Sequence, residues 1–283
     1  MPSVDPRLLL LAACLLLTLG CPDPAPQHET PTPDAAPSPQ PSPPPPDASL
    51  PLESYLEAGV PAPDRSWSGA DTARAASALT KLAQANPRQL PRYESPRSGA
   101  LFSRLVAADN LDLYRNTSLA IEQRLGQGIE CLQATNELLK TYAASFNGGG
   151  VGGAELIELM GMQLRVLSVM FDMVDEFLPT LDREAADYSV RMRGLARMKN
   201  GFAQMVSGCL MTLTEREVYS AAELKRFARY LREILPGLSS KLSAAGRQET
   251  LVRLRGIIAE EREASLKTEL ERLLQELEAQ AGR

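Results

Sequence analysis

Ala154 to Leu178 reads AELIELMGMQLRVLSVMFDMVDEFL, and this stretch decides the fold class. Leu156, Met160, Leu167, Met170, Val174 and Phe177 recur at helical steps, which predicts a core-facing stripe. Glu155, Glu158, Arg165, Ser168, Asp172 and Asp175 fall between them and are expected to face solvent. The preceding segment, Thr117 to Phe146, repeats the pattern with Ile121, Leu125, Ile129, Leu132, Leu139 and Phe146. No run of β-branched residues alternates with period two, so an all-α, multi-helix bundle of antiparallel amphipathic helices is expected.

Working outward, Pro179 biases Leu178 away from helical angles, so a break is placed there, a kinked continuous helix being the alternative. The helix after it presents Tyr188, Met192, Leu195, Phe202, Val206 and Cys209 and runs to about Leu213. Thr214 with Glu217 and Ser220 with Glu223 have the spacing of capping boxes. Leu224, Phe227, Leu231 and Ile234 then share a face until Pro236-Gly237, where the helix is expected to stop, with a short helix from Leu238 to Ala245. A final helix from about Gln248 carries Leu251, Leu254, Ile258, Leu266, Leu270, Leu273 and Leu277. It has under four clean heptads, so docking on the bundle is favoured over a free coiled coil.

On the other side, Ser68 to Asp71 has the spacing of a helix start, and the helix from Ala70 to Ala85 ends at Asn86-Pro87. A short helix is expected near Gly99 to Ala108. Leu52 to Trp67 reads as a short helix or loop anchored by the sole tryptophan. Residues 52–283 are therefore read as one helical domain.

Thirteen of the 22 prolines lie between Pro22 and Pro51, in a segment that has acids but no Lys or Arg. Residues 22 to 50 are nearly all Pro, Ala, Ser, Asp, Gln and Thr and supply nothing to build a core, so a disordered, polyproline-like tether is expected. Ahead of it, Arg7 precedes the apolar run Leu8 to Leu19, which is a secretory pattern and too short for a spanning helix. Leu17 to Cys21, with Gly20 before the cysteine, resembles the signal of bacterial lipoproteins. The resemblance implies a signal peptide over 1–20, acylation of Cys21, and a lipid-modified start to a linker over 21–51. Leu11 to Cys14 has similar letters, but a cut there would expose Leu15 to Leu19 on the product. The expected location is the bacterial cell envelope, exported and held to the membrane by lipid, on the periplasmic side or the cell surface.

The net charge is −5, and the domain from Leu52 onward is nearly neutral. No basic excess is present to grip a phosphate backbone, so nucleic acid is not expected as a partner, and anionic membrane surfaces are disfavoured on the same ground. The only histidine, His28, lies in the tether, which removes Ser-His-Asp, Cys-His, zinc-histidine and di-iron sites. Gly148 to Gly153 has the letters of a dinucleotide fingerprint but no strand feeds it, so it is read as an inter-helix hinge.

Three groups remain as candidates. Met160, Met162, Met170 and Met173 have a spacing able to bind Cu(I), against which core packing is the simpler use of such adaptable side chains. Cys131 and Cys209 stand on neighbouring long helices and are either a disulfide or two buried thiols. Asp172, Asp175, Glu176, Asp182, Glu184 and Asp187 flank Pro179 and are read as a solvated, salt-bridged face rather than paired catalytic carboxylates, as are the basic Arg191, Arg193, Arg197 and Lys199. No catalytic residues and no cofactor are expected. The reading is a lipid-anchored, non-enzymatic protein that binds an envelope partner or acts as a scaffold, with a Met-rich copper or apolar-ligand carrier as the alternative.

Overall fold

Ser68 starts the first long helix by accepting a hydrogen bond from the Asp71 amide while the Asp71 carboxylate accepts one from the Ser68 amide. This reciprocal cap satisfies two backbone donors that the first turn leaves without partners. Asn86, extended before Pro87, ends the same helix. In the computed structural model, which describes residues 49–115, 118–147, 152–184 and 188–281, such signals delimit nine α-helices, with no strand among the described residues.

In chain order the helices are α1 (Leu52–Glu57), α2 (Gly69–Ala85), α3 (Gly99–Leu105), α4 (Ile121–Asn147), α5 (Gly153–Phe177), α6 (Tyr188–Thr212), α7 (Ala221–Leu238), α8 (Ala244–Glu260) and α9 (Ala264–Ala281). The main packed pairs run α2–α4–α5–α7–α9, with α4 and α5 antiparallel, α5 and α7 side by side in the same direction, and α8 against α9 and α6. The buried apolar side chains form one connected core. Packing extends back to Ser49, which is buried against Ser95, and to Leu50. Trp67 is buried and its indole N–H donates to Ala62 O at 2.8 Å. No described helix is long and apolar enough to cross a membrane.

Helix α5 departs from the expected pattern of one core face and one wet face. From Gly153 to Met173 only Ala154, Arg165, Ser168 and Asp172 escape full burial. Neighbours on both flanks explain this, since α4 covers one side and α7 the other. Glu155 and Glu158, expected in solvent, are 4% and 7% exposed.

Other boundaries also differ. Proline stays inside α7 at Pro236, because in the last turn its missing N–H removes a single bond, and the chain runs on into a 3-10 turn at Ser239–Lys241. The expected short helix from Leu238 to Ala245 is therefore absent, and Ser243 caps α8 instead. The expected single terminal helix is two. Glu261 leaves helical geometry, and the Glu263 carboxylate accepts from the Leu266 amide to start α9. Leu266, Leu270, Leu273 and Leu277 are buried, so α9 docks, chiefly against α7. Thr214 forms no capping box, its hydroxyl donating back to Met211 O, whereas the Ser220–Glu223 box is present. The chain breaks at Leu178–Thr180 as a 3-10 turn.

Candidate functional site

A cleft of about 430 Å³ opens between residues 92–96, the start of α5 and the start of α7. Its wall is built by α5. The Glu155 carboxylate occupies the third helical position, where Oε2 accepts from the Gly152 amide at 2.9 Å. Its other oxygen accepts from the Tyr93 amide at 2.8 Å and from Arg92 Nε at 3.3 Å. One buried acid thus caps α5 and pins the 92–96 segment to it.

One turn along α5, Glu158 accepts from Arg226 at 3.1 Å and from the Tyr230 hydroxyl, both on α7. Arg226 also lies over the Tyr93 ring, 4.9 Å from its centroid, and Arg165 lies over the Tyr230 ring at 4.8 Å while pairing with Glu233. Burial opposes the charge on Arg226, but Tyr93 and Glu158 outweigh it and hold the guanidinium protonated. Burial, reinforced by Glu158, pushes the Tyr230 hydroxyl well above the ordinary tyrosine range, so it stays a donor.

The site needs a close approach of α5 to α7. Gly153 provides one, since a Cβ there would lie 2.9 Å from Glu223 Oε1 and 2.9 Å from the Tyr219 ring. Gly161 provides the second, where a Cβ would meet the Tyr230 ring at 2.6 Å. Chemically, the cleft offers guanidinium, carboxylate and serine groups that are already hydrogen-bonded to one another. Such groups can exchange their paired contacts for those of a polar chain. Among the described residues no group of three or more His, Cys, Asp or Glu side chains is placed to hold a metal ion.

The candidates read from the sequence fall elsewhere. Met160, Met162, Met170 and Met173 are all buried, and Met170 and Met173 lie over Gly128, where a Cβ would come within 2.4 Å of Met170 Sδ. Met170 and Met173 fill the seam between α4 and α5. Cys131 and Cys209 are both buried and no disulfide joins them. Burial pushes the Cys131 thiol up to about 11, with the Tyr114 hydroxyl working in the opposite direction.

The acidic group around Pro179 does not converge. Asp175 pairs with Lys241 and Glu176 with Arg124 on α4, while Asp172, Asp182 and Glu184 are exposed. Asp187, Cys21, His28, the signal and tether residues up to 48, and 148–151 of the glycine run lie outside the described residues. Arg193, Arg197 and Lys199 depart from the expected salt-bridged face, as none has an ion-pair partner among the described residues.

Sequence reasoning missed Arg92, Tyr93, Arg226 and Tyr230. The only usable signal was the pair Glu155 and Glu158 on an otherwise apolar helix, because their partners lie more than 60 residues away. Comparison with models of protein families, with curated proteins and with solved structures finds no match to this chain.

Proposed function

We propose that the protein is a lipid-anchored envelope protein whose helical domain docks a protein partner without catalysing a reaction. The observation that carries the docking reading is the cleft at Arg92, Glu155, Glu223 and Arg226. It is open, of a size to take a few residues of an extended chain, and lined by both signs of charge and by Ser95 and Ser220. A peptide presents donors and acceptors alternately, which suits a wall of paired guanidiniums and carboxylates. The leader and the run from Cys21 into Pro-rich sequence support the anchor.

A photo-reactive amino acid at Ala222, on the rim of the cleft, tests the docking in growing cells. A discrete adduct that weakens with Arg226→Ala is expected, and no adduct above that from a probe on the far side would end the reading. Mass spectrometry of the isolated protein tests the anchor, with an acylated residue 21 as the new N-terminus expected and an intact leader counting against it.

A further inference from the structure

The first half of α6 carries several bases with no acid among them. Between Tyr188 and Thr214 the sequence has no acid and four bases. Arg191 lies over the Phe177 ring, 5.3 Å from its centroid, but Arg193, Arg197 and Lys199 are exposed with no ion pair among the described residues. Several guanidiniums elsewhere are taken up by acids, Arg92 by Glu155, Arg124 by Glu176, Arg226 by Glu158 and Arg232 by Glu269 and Glu276.

The apolar residues of α6 divide the same way. Phe202, Val206, Cys209 and Leu210 are buried in the core. Tyr188, Met192 and Leu195 continue the stripe only half-buried and outside the core packing, and Val190 is 57% exposed between the cations. Arg193 and Arg197 lie one turn apart on the outward side of the helix beside exposed Val190, while Tyr188, Met192 and Leu195 continue the core-facing stripe; two bases next to an exposed apolar side chain suit a membrane interface. A second copy of the same helix is a poor occupant, because like charges would face each other.

We infer that the outward face of the first half of α6 is a contact surface for the anionic headgroups of a bilayer, with Arg193 and Arg197 meeting lipid phosphates. The inference rests on the lipid-anchor reading for its proximity to a membrane, and the geometry permits it. The tether joins the domain at Ser49, beside Ser95 and hence near the start of α5, whereas Arg191 sits at the far end of α5. That helix of 25 residues is about 37 Å long. From residue 21 to residue 49 is 49 − 21 = 28 residues, which in extended polyproline form reach about 87 Å. The anchor can therefore loop past the whole domain. Asp172, Asp182 and Glu184 are exposed nearby, so the attraction belongs to this helix face and not to that whole end. The near-neutral domain charge that disfavoured anionic membranes hides this local excess.

The test uses the full acylated protein on vesicles of phosphatidylcholine alone and on vesicles in which about a third is phosphatidylglycerol. Flotation on the neutral vesicles reports the anchor, and hydrogen exchange of the 188–200 amides reports the contact. Expected are slower exchange on the anionic vesicles only, its reversal by salt, and its loss in Arg193→Ala/Arg197→Ala. In that variant the anionic-lipid-dependent part of partitioning falls on the order of tenfold to thirtyfold. Exposed positions leave the melting temperature unchanged, and Lys199→Ala, on the other side of the helix, is the control that leaves partitioning unchanged. Flotation on both vesicles with equal exchange at 188–200 overturns the inference and leaves the anchor standing. Binding to anionic vesicles alone, sensitive to the two arginines, supports the inference and ends the anchor reading. Slowing of exchange only on addition of an acidic envelope protein, whatever the lipid, also overturns it.

Discussion

Replacing Gly161 by alanine probes the closest contact in the candidate site. A Cβ at this position would lie 2.6, 2.8 and 2.9 Å from three carbons of the Tyr230 ring. Ordinary contact begins near 3.4 Å, so the ring must retreat by about 0.8 Å. It is poorly free to do so, because Arg165 stacks on its face and its hydroxyl donates to buried Glu158. Overpacking costs about 1–3 kcal/mol, and weakening a hydrogen bond to a charged acceptor adds up to about 1.5–3 kcal/mol. The gain from removing a glycine inside a helix offsets about 1 kcal/mol. The net is a loss of about 1.5–5 kcal/mol, or a drop in melting temperature of roughly 3–20 °C for a domain this size. Gly126→Ala is the matched control, since nothing lies within 4 Å of its Cβ and it should gain about 1 kcal/mol. Urea unfolding followed by circular dichroism reads both. Adding Tyr230→Ala to Gly161→Ala should recover at least about 1 kcal/mol relative to the sum of the single changes. A Gly161→Ala protein as stable as Gly126→Ala would refute the packing of α5 against α7 described above.

Glu155→Ala strips the acceptor from the Tyr93 and Gly152 amides and from Arg92, and should cost about 2–4 kcal/mol in thermal unfolding, with Glu155→Gln intermediate. Burial works against ionisation of Asp71 and Glu261, but Arg65 and Arg216 respectively, with nearby backbone amides, hold both below the usual carboxylate range. Their folded-state values being depressed, the stability they add is present above about pH 4.5 and is lost as pH falls through the folded values; Asp71→Asn should flatten part of that acid slope, and an unchanged slope would contradict it. Cys131 and Cys209 should resist alkylation at about pH 8 in the native protein and react fully in urea, as read by peptide mapping. If Met170 and Met173 are packing groups, Met170→Leu and Met173→Leu should each cost under about 1.5 kcal/mol and excess Cu(I) should leave the melting temperature unchanged; a rise of several degrees would favour the metal-carrier alternative.

Helix ends were legible in the sequence wherever a local group decides them. Ser68 with Asp71, Asn86 before Pro87 and Ser220 with Glu223 act over three or four residues, and each sits where the spacing places it. The docking of α9 followed from Leu266 to Leu277 for the same reason. What could not be read is set by distant partners. Glu155 looks like any exposed acid at a helix start, and only Arg92 and Tyr93, brought over from far upstream, make it a buried pin. Pro236 looks like a stop, yet the last turn tolerates it, and Thr214 looks like a cap until its hydroxyl turns back to Met211. Composition pointed to a balanced surface, but balance of the total says nothing about Arg193 and Arg197 standing one turn apart on an outward face.

The burial of α5 on both flanks bears on how the chain is made. Its partner α4 emerges from the ribosome before it, but α7, which seals the other flank and supplies Arg226 and Tyr230, emerges some 50 residues later. Until then a growing chain displays one oily side of its central rod and a carboxylate, Glu158, whose counter-charge does not yet exist. A chain halted after Thr212 would be a substrate for chaperones and proteases rather than a smaller version of the protein, and recovery of a soluble, protease-resistant fragment ending there would show that the late helices are dispensable.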